Sequence, residues 1–146
     1  MTSAHEVAKH IIQKSSLPIS NLKLQKLLYY AQGWHLAIFD EPLFSETIEA
    51  WVHGPVVPVV FREYREFRWS PIPVATTPAV LGSRASTHVR DVLKAYGSFT
   101  ATQLEALSHS ESPWIDARNR LQPKEPSKVA ITHPSMKRYF SKQLNG

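Results

Sequence analysis

The 146 residues contain no cysteine, and that absence removes a disulfide framework, thiolate metal sites and a cysteine nucleophile together. It also fits a reducing compartment, so a cytoplasmic location is expected. Glycine is scarce. The five glycines stand apart at positions 33, 54, 82, 97 and 146, whereas a phosphate-cradling loop needs several close together, so neither a nucleotide loop nor a cofactor is expected. No apolar run is long enough to span a bilayer, and the opening MTSAHEVAKH lacks the apolar middle and cleavage site of a secretory signal. The seven histidines never show the one-turn spacing of a zinc-binding helix, His5 and His10 being five apart, so no metal site is expected.

What is present suits one ordinary domain: the length is that of a single core, and 42% of residues are hydrophobic. Charge is unevenly placed. Residues 1–112 hold ten Lys/Arg and ten Asp/Glu, while residues 113–146 hold seven bases against Asp116 and Glu125, so the net +5 is C-terminal. A basic end of this kind attracts nucleic acid or an acidic protein surface, or is simply a solvated face.

Residues 22–61, LKLQKLLYYAQGWHLAIFDEPLFSETIEAWVHGPVVPVVF, organise the rest. Leu24, Leu27, Leu28, Ala31, Trp34, His35 and Ile38 make a wide apolar stripe, with Lys23 and Lys26 off it, which marks a central helix started by Ser20. Ile48, Ala50 and Val52 alternate with Glu49, Trp51 and His53, so a strand over residues 47–52 sets Trp51 and His53 on one face. Gly54 and Pro55 read as a rigid turn, and Pro58 as the first turn of a helix with Val60, Phe61, Tyr64 and Phe67 inward.

On either side, Ser3 and Glu6 form a capping box for a helix running to about Lys14. Residues 69–86, with three prolines and a glycine, predict a long loop. Ser86 caps a helix ended by Gly97, Thr100 and Gln103 form a second capping box, and Ser112-Pro113-Trp114 opens a short helix with an Asp116–Arg120 pair. A small strand at residues 129–131 and a terminal helix from Pro134, with Met136, Tyr139, Phe140 and Leu144 inward, complete the chain. The fold expected is mainly α, a single compact helical domain over residues 1–146 with a small antiparallel β-sheet.

Catalytic patterns are thin. Ser108-His109-Ser110 sets hydroxyls beside an imidazole without a nucleophile elbow, and helix capping is the plainer reading. Glu63 and Glu66 interleave with Arg62, Arg65 and Arg68 as a self-neutralising helix face. His53 is either a buried imidazole bonded to backbone or an active one. Tyr29, Tyr30, Trp34 and Trp51 make either an aromatic recognition surface or a core. Asn21, Lys23, Gln25 and Lys26 would be the reading face of a DNA-recognition helix, though that helix runs on into an aromatic stripe.

LQKLLY at residues 24–29, EAW at residues 49–51 and GPVVP at residues 54–58, with YG at 96–97 and TQLEALSHSESPW at 102–114, together resemble the Panacea domain family of SocA-like antitoxins and GepA-like phage-associated proteins. His53 and Phe61 stand where that family often has Tyr. The resemblance implies a mainly helical domain that binds a cognate protein toxin directly, and an adaptor role delivering the toxin to the ClpXP protease; the thin catalytic patterns, for their part, lead us to expect no enzymatic activity. The candidate partner-binding residues are Tyr29, Tyr30, Trp34, Trp51, His53, Gly54, Pro55 and Trp114. The alternative is a nucleic-acid-binding regulator using the basic C-terminal third.

Overall fold

The computed structural model describes residues 1–146. Its elements run α1 (Ala4–Lys14), α2 (Asn21–Phe39), β1 (Ile48–Trp51), β2 (Gly54–Val56), α3 (Pro58–Glu63), a 3-10 turn (Arg65–Phe67), α4 (Ser83–Tyr96), α5 (Ala101–His109), α6 (Ser112–Arg118), β3 (Ala130–Ile131) and α7 (His133–Asn145). The fold is thus mainly α with one small antiparallel sheet, as the sequence pattern predicts.

Helix α2 is the axis. It packs against α1, α4, α5, α7 and β2, so it is enclosed on nearly every side. An apolar stripe needs only one covered face, and the enclosure explains why Lys23 and Lys26, off the stripe, are buried as well. Their aliphatic stems lie in the interior while each ammonium reaches a backbone carbonyl: Lys23 Nζ donates to Gly97 O at 2.6 Å and Lys26 Nζ to Pro55 O at 3.3 Å.

Helix α7 closes on α2 at Gly33, where a Cβ would stand 2.2 Å from Phe140 Cε2. With no side chain there, the Phe140 ring sinks among Tyr29, Tyr30 and Trp34 at centroid distances of 5.6, 6.0 and 5.2 Å. Burying an aromatic side chain of this size contributes about 2–3 kcal/mol. Tyr30 also stacks on Tyr96 at 4.1 Å, which ties α4 to the same cluster.

The sheet order is β2-β1-β3, all antiparallel, with Trp51 opposite Gly54 and Glu49 opposite Ala130. The expected turn is therefore displaced. Val52 and His53 form the two-residue loop, while Gly54 and Pro55 belong to β2. Gly54 has φ 109, a conformation that disfavours any L side chain. Its bare backbone lies against α2, where a Cβ would meet Lys26 Cε at 2.6 Å.

The helix starts divide by mechanism. Ser3, Ser20, Thr100 and Thr132 each accept an amide N–H of the following turn, and the Thr100–Gln103 box is reciprocal. The Ser3 box is not, because Glu6 accepts the Val80 amide instead and ties the long loop to α1. Helix α4 begins three residues before Ser86, with Gly82 as its N-cap. No Asp116–Arg120 pair forms, since α6 ends at Arg118 and Arg120 has φ 70. Leu144 faces water at the open end of α7, being 52% exposed.

Candidate interaction surface

The hairpin β1–β2 has an inner side on α2 and α6, and the inner side is polar in its bonding. Residues 54–61 leave backbone groups that the short sheet does not pair, and buried side chains of α2 satisfy them. Gln25 Oε1 accepts the Val57 amide at 2.9 Å, and Gln25 Nε2 donates to Asn21 Oδ1 at 2.9 Å. Asn21 Nδ2 then donates to Phe61 O at 3.0 Å. With Lys26 on Pro55 O, these bonds fasten the start of α3 to α2. Burial pulls the Lys26 ammonium down to about 8, with Glu105 opposing the shift.

The other half of the inner side centres on Glu111, the N-cap of α6, which is 4% exposed. Its carboxylate accepts the Tyr29 hydroxyl at 2.9 Å and the Tyr30 hydroxyl at 3.2 Å. Burial raises the carboxyl to about 7 even though both hydroxyls favour the ionised form. Both tyrosines are pushed above the ordinary phenol range, first by burial and then by that carboxylate. From α6, Trp114 Nε1 donates to Trp51 O at 2.8 Å and Arg118 Nη1 to Ala50 O at 3.3 Å, clamping β1. His109 stacks on Trp114 at 4.0 Å, and burial lowers its pKa, so the ring is held neutral.

The outer side is different. A groove of about 750 Å³ opens between the hairpin loop and the residues after α3, lined by Asn21, Leu22, His53, Phe61, Arg65, Glu66, Arg68 and Trp69. Trp69 is 75% exposed. Trp51 supports the Phe61 ring edge-on at 5.2 Å. His53 is exposed on the loop, with Nδ1 3.4 Å from Glu105 Oε2 at the groove rim.

The eight candidate residues therefore separate. Tyr29, Tyr30, Gly54, Pro55 and Trp114 are buried and belong to the support. Trp34 is half-buried and bonds Tyr96 Oη at 2.8 Å, on the α4 and α7 side. Only Trp51 and His53 reach the groove region. The expectation of a backbone-bonded, buried His53 is corrected, because the hairpin turns two residues earlier and projects it into solvent. The α2 reading face for DNA is corrected as well: Asn21, Lys23, Gln25 and Lys26 are all interior.

Four groove residues escape the sequence reading. Phe61 was assigned inward, Arg65 and Arg68 to a self-neutralising face, and Trp69 to the start of a loop. Glu63, one expected neutralising partner, instead pairs with His5. The signal available was a tryptophan flanked by arginine at the edge of a proline-rich segment, where no core periodicity accounts for it.

No group of three His, Asp or Glu side chains is arranged to hold a metal ion. No helix is long and apolar enough to cross a membrane. The family described as Antitoxin SocA-like, Panacea domain, matches residues 24–115, from α2 through the hairpin and the groove to α6. Antitoxin SocA of Caulobacter vibrioides (strain NA1000 / CB15N) is 36% identical, over 76% of this chain and 68% of that protein. No solved structure matches.

Proposed function

Since the chain belongs to the SocA-like antitoxin family with a Panacea domain, we propose that it is an antitoxin that neutralises a cognate protein toxin by binding it directly. The observation that supports this reading most is the contrast across the hairpin. Ionisable groups able to do chemistry, Lys26 and Glu111, are sealed inside and bonded, whereas the open groove presents Trp and Arg, the residue types that dominate protein-binding hot spots. The contact face is made by His53, Phe61, Arg65, Arg68 and Trp69, with Trp51 beneath. Tyr29, Tyr30, Gly54, Pro55 and Trp114 act by holding that face in place, and the chain makes and breaks no bonds.

Co-expression tests the proposal. The product of a neighbouring gene, toxic when expressed alone, is expected to become harmless with this chain present. A neighbour that is harmless alone, or equally lethal with the chain, ends the reading. Delivery to ClpXP, the adaptor role that the resemblance implies, is distinguished from simple blocking by repeating the rescue in cells lacking that protease. Blocking survives its removal and delivery does not.

A basic C-terminal surface is less supported. Arg118 is buried on backbone carbonyls and Lys137 pairs with Asp40, so two of the seven bases are already engaged within the fold.

A further inference from the structure

The groove holds side chains that the fold does not use. Neither Arg65 nor Arg68 joins any of the ion pairs, which are His5–Glu63, His53–Glu105, Arg84–Glu41 and Lys137–Asp40. Both arginines are exposed and line the same groove as the exposed Trp69. The backbone at Arg68 is also unusual. Ser70 N–H donates to Phe67 O at 2.8 Å, closing a tight turn whose second residue, Arg68, has φ 54 and ψ −115. That is the first central position of a type II′ turn, where glycine is the ordinary occupant because a Cβ is strained there. An arginine in this place works against the turn, and no ion pair of its side chain within the fold offsets that.

We infer that the groove takes an acidic segment of the toxin that carries an apolar anchor. The inference rests on the toxin-binding reading and names the chemistry of the partner. Carboxylates of the segment meet the Arg65 and Arg68 guanidiniums, whose fork geometry suits them. The anchor lies on Leu22, Phe61 and Trp69, in the part of the groove where burial of apolar surface drives association. Two features favour a peptide over a nucleic acid. The Glu66 carboxylate sits in the groove and repels a continuous run of phosphates, and Leu22 and Phe61 give apolar walls that a sugar-phosphate backbone does not use. A peptide places its acidic residues at intervals and avoids Glu66.

The test uses the purified full chain and needs no toxin. A phage library of short random peptides is selected on the wild-type protein, and the enriched pool is re-screened against the Arg65→Glu and Arg68→Glu double variant. Enrichment of Asp and Glu around a Leu, Phe or Trp, lost on the double variant, is expected. One enriched peptide is then titrated by fluorescence anisotropy. Arg68→Gly is expected to weaken it about tenfold or more, the loss of one hot-spot contact, while its urea midpoint rises because the turn is relieved. Trp69→Ala, at a position the core does not use, is expected to weaken the peptide with an unchanged midpoint.

Enrichment of basic or uncharged peptides, no enrichment, or unchanged affinity in Arg68→Gly overturns the inference. So does a lowered midpoint in that variant, or tighter binding of single-stranded RNA than of the peptide. Failure of the co-expression rescue with acidic peptides still selected removes the antitoxin reading and keeps the groove chemistry. Rescue that persists in the Arg65→Glu and Arg68→Glu variant does the reverse.

Discussion

The two sides of the β1–β2 hairpin use similar residue types under opposite conditions. On the inner side, Lys26, Glu111 and Arg118 are charged or chargeable, and each has its polar atoms directed to a backbone carbonyl or a tyrosine hydroxyl. On the outer side, Arg65 and Arg68 have no ionic partner and share a groove with an exposed indole. Burying a charge costs several kcal/mol unless it is bonded, so a buried charge is committed to the fold. An exposed charge carries no such commitment and remains free for a partner. The difference teaches that chemical capability and availability are separate properties of a residue, and that position in the hairpin decides between them.

Replacing Gly54 by Ala tests the inner side most severely. A Cβ at φ 109 and 2.6 Å from Lys26 Cε combines backbone strain with overpacking, and the variant is expected to lose about 4 kcal/mol in urea unfolding. A loss below 1 kcal/mol would show that the hairpin is not seated on α2 as described.

Glu111→Gln sharpens the same side through pH. The folded carboxyl, raised to about 7 from 4.5, holds its proton where the unfolded one has already released it. Wild type therefore loses stability relative to Glu111→Gln as pH rises from 4.5 to about 7, by on the order of 3 kcal/mol. Because buried histidines titrate in the same range with the opposite sign, the difference between the two proteins is what must be measured. A difference that does not change with pH would mean that Glu111 is not buried as a carboxylate.

Lys26 has the opposite sign. Its ammonium gives up its proton near 8 when folded and near 10.5 when unfolded, so the unfolded chain binds more protons between those values. Wild-type stability is expected to rise relative to Lys26→Met from pH 8 to 10, by on the order of 2 kcal/mol. Above about pH 10 the raised tyrosines lower the stability of both proteins alike, since the unfolded phenols ionise first, so here too the difference between the two proteins is what must be measured. Parallel urea midpoints for both proteins across pH 8 to 10 would contradict a buried ammonium.

The smallest effect belongs to the outer side. Trp69→Ala is expected to change the unfolding free energy by less than about 0.5 kcal/mol, as at other surface positions. A loss of 2 kcal/mol or more would move Trp69 into the support and erase the contrast between the two sides.

Local chemistry made much of this protein readable in advance. Ser20 and Thr100 as caps, Gly97 as a terminator, Pro58 and Pro113 in first turns and the period of α2 depend on contacts within a few residues, and the chain alone determines those. The family motifs were equally legible, being runs of adjacent residues. The sequence places the hairpin turn two residues late, because Gly-Pro suggests a turn wherever it occurs, and only pairing of Trp51 with Gly54 places the loop at Val52 and His53.

Burial of polar residues was out of reach for a related reason. Nothing near Lys26 in the sequence announces the Pro55 carbonyl, nor does anything near Glu111 announce Tyr29 and Tyr30 about eighty residues earlier. Each is a long-range bond whose partner exists only once the chain is folded. So the amino-acid order determined which segments are helices and which residues cap them, through forces that act over one turn. Tertiary structure alone decided which charges are sealed in and which are left facing water, because desolvation depends on everything packed around a group and not on its neighbours in the chain.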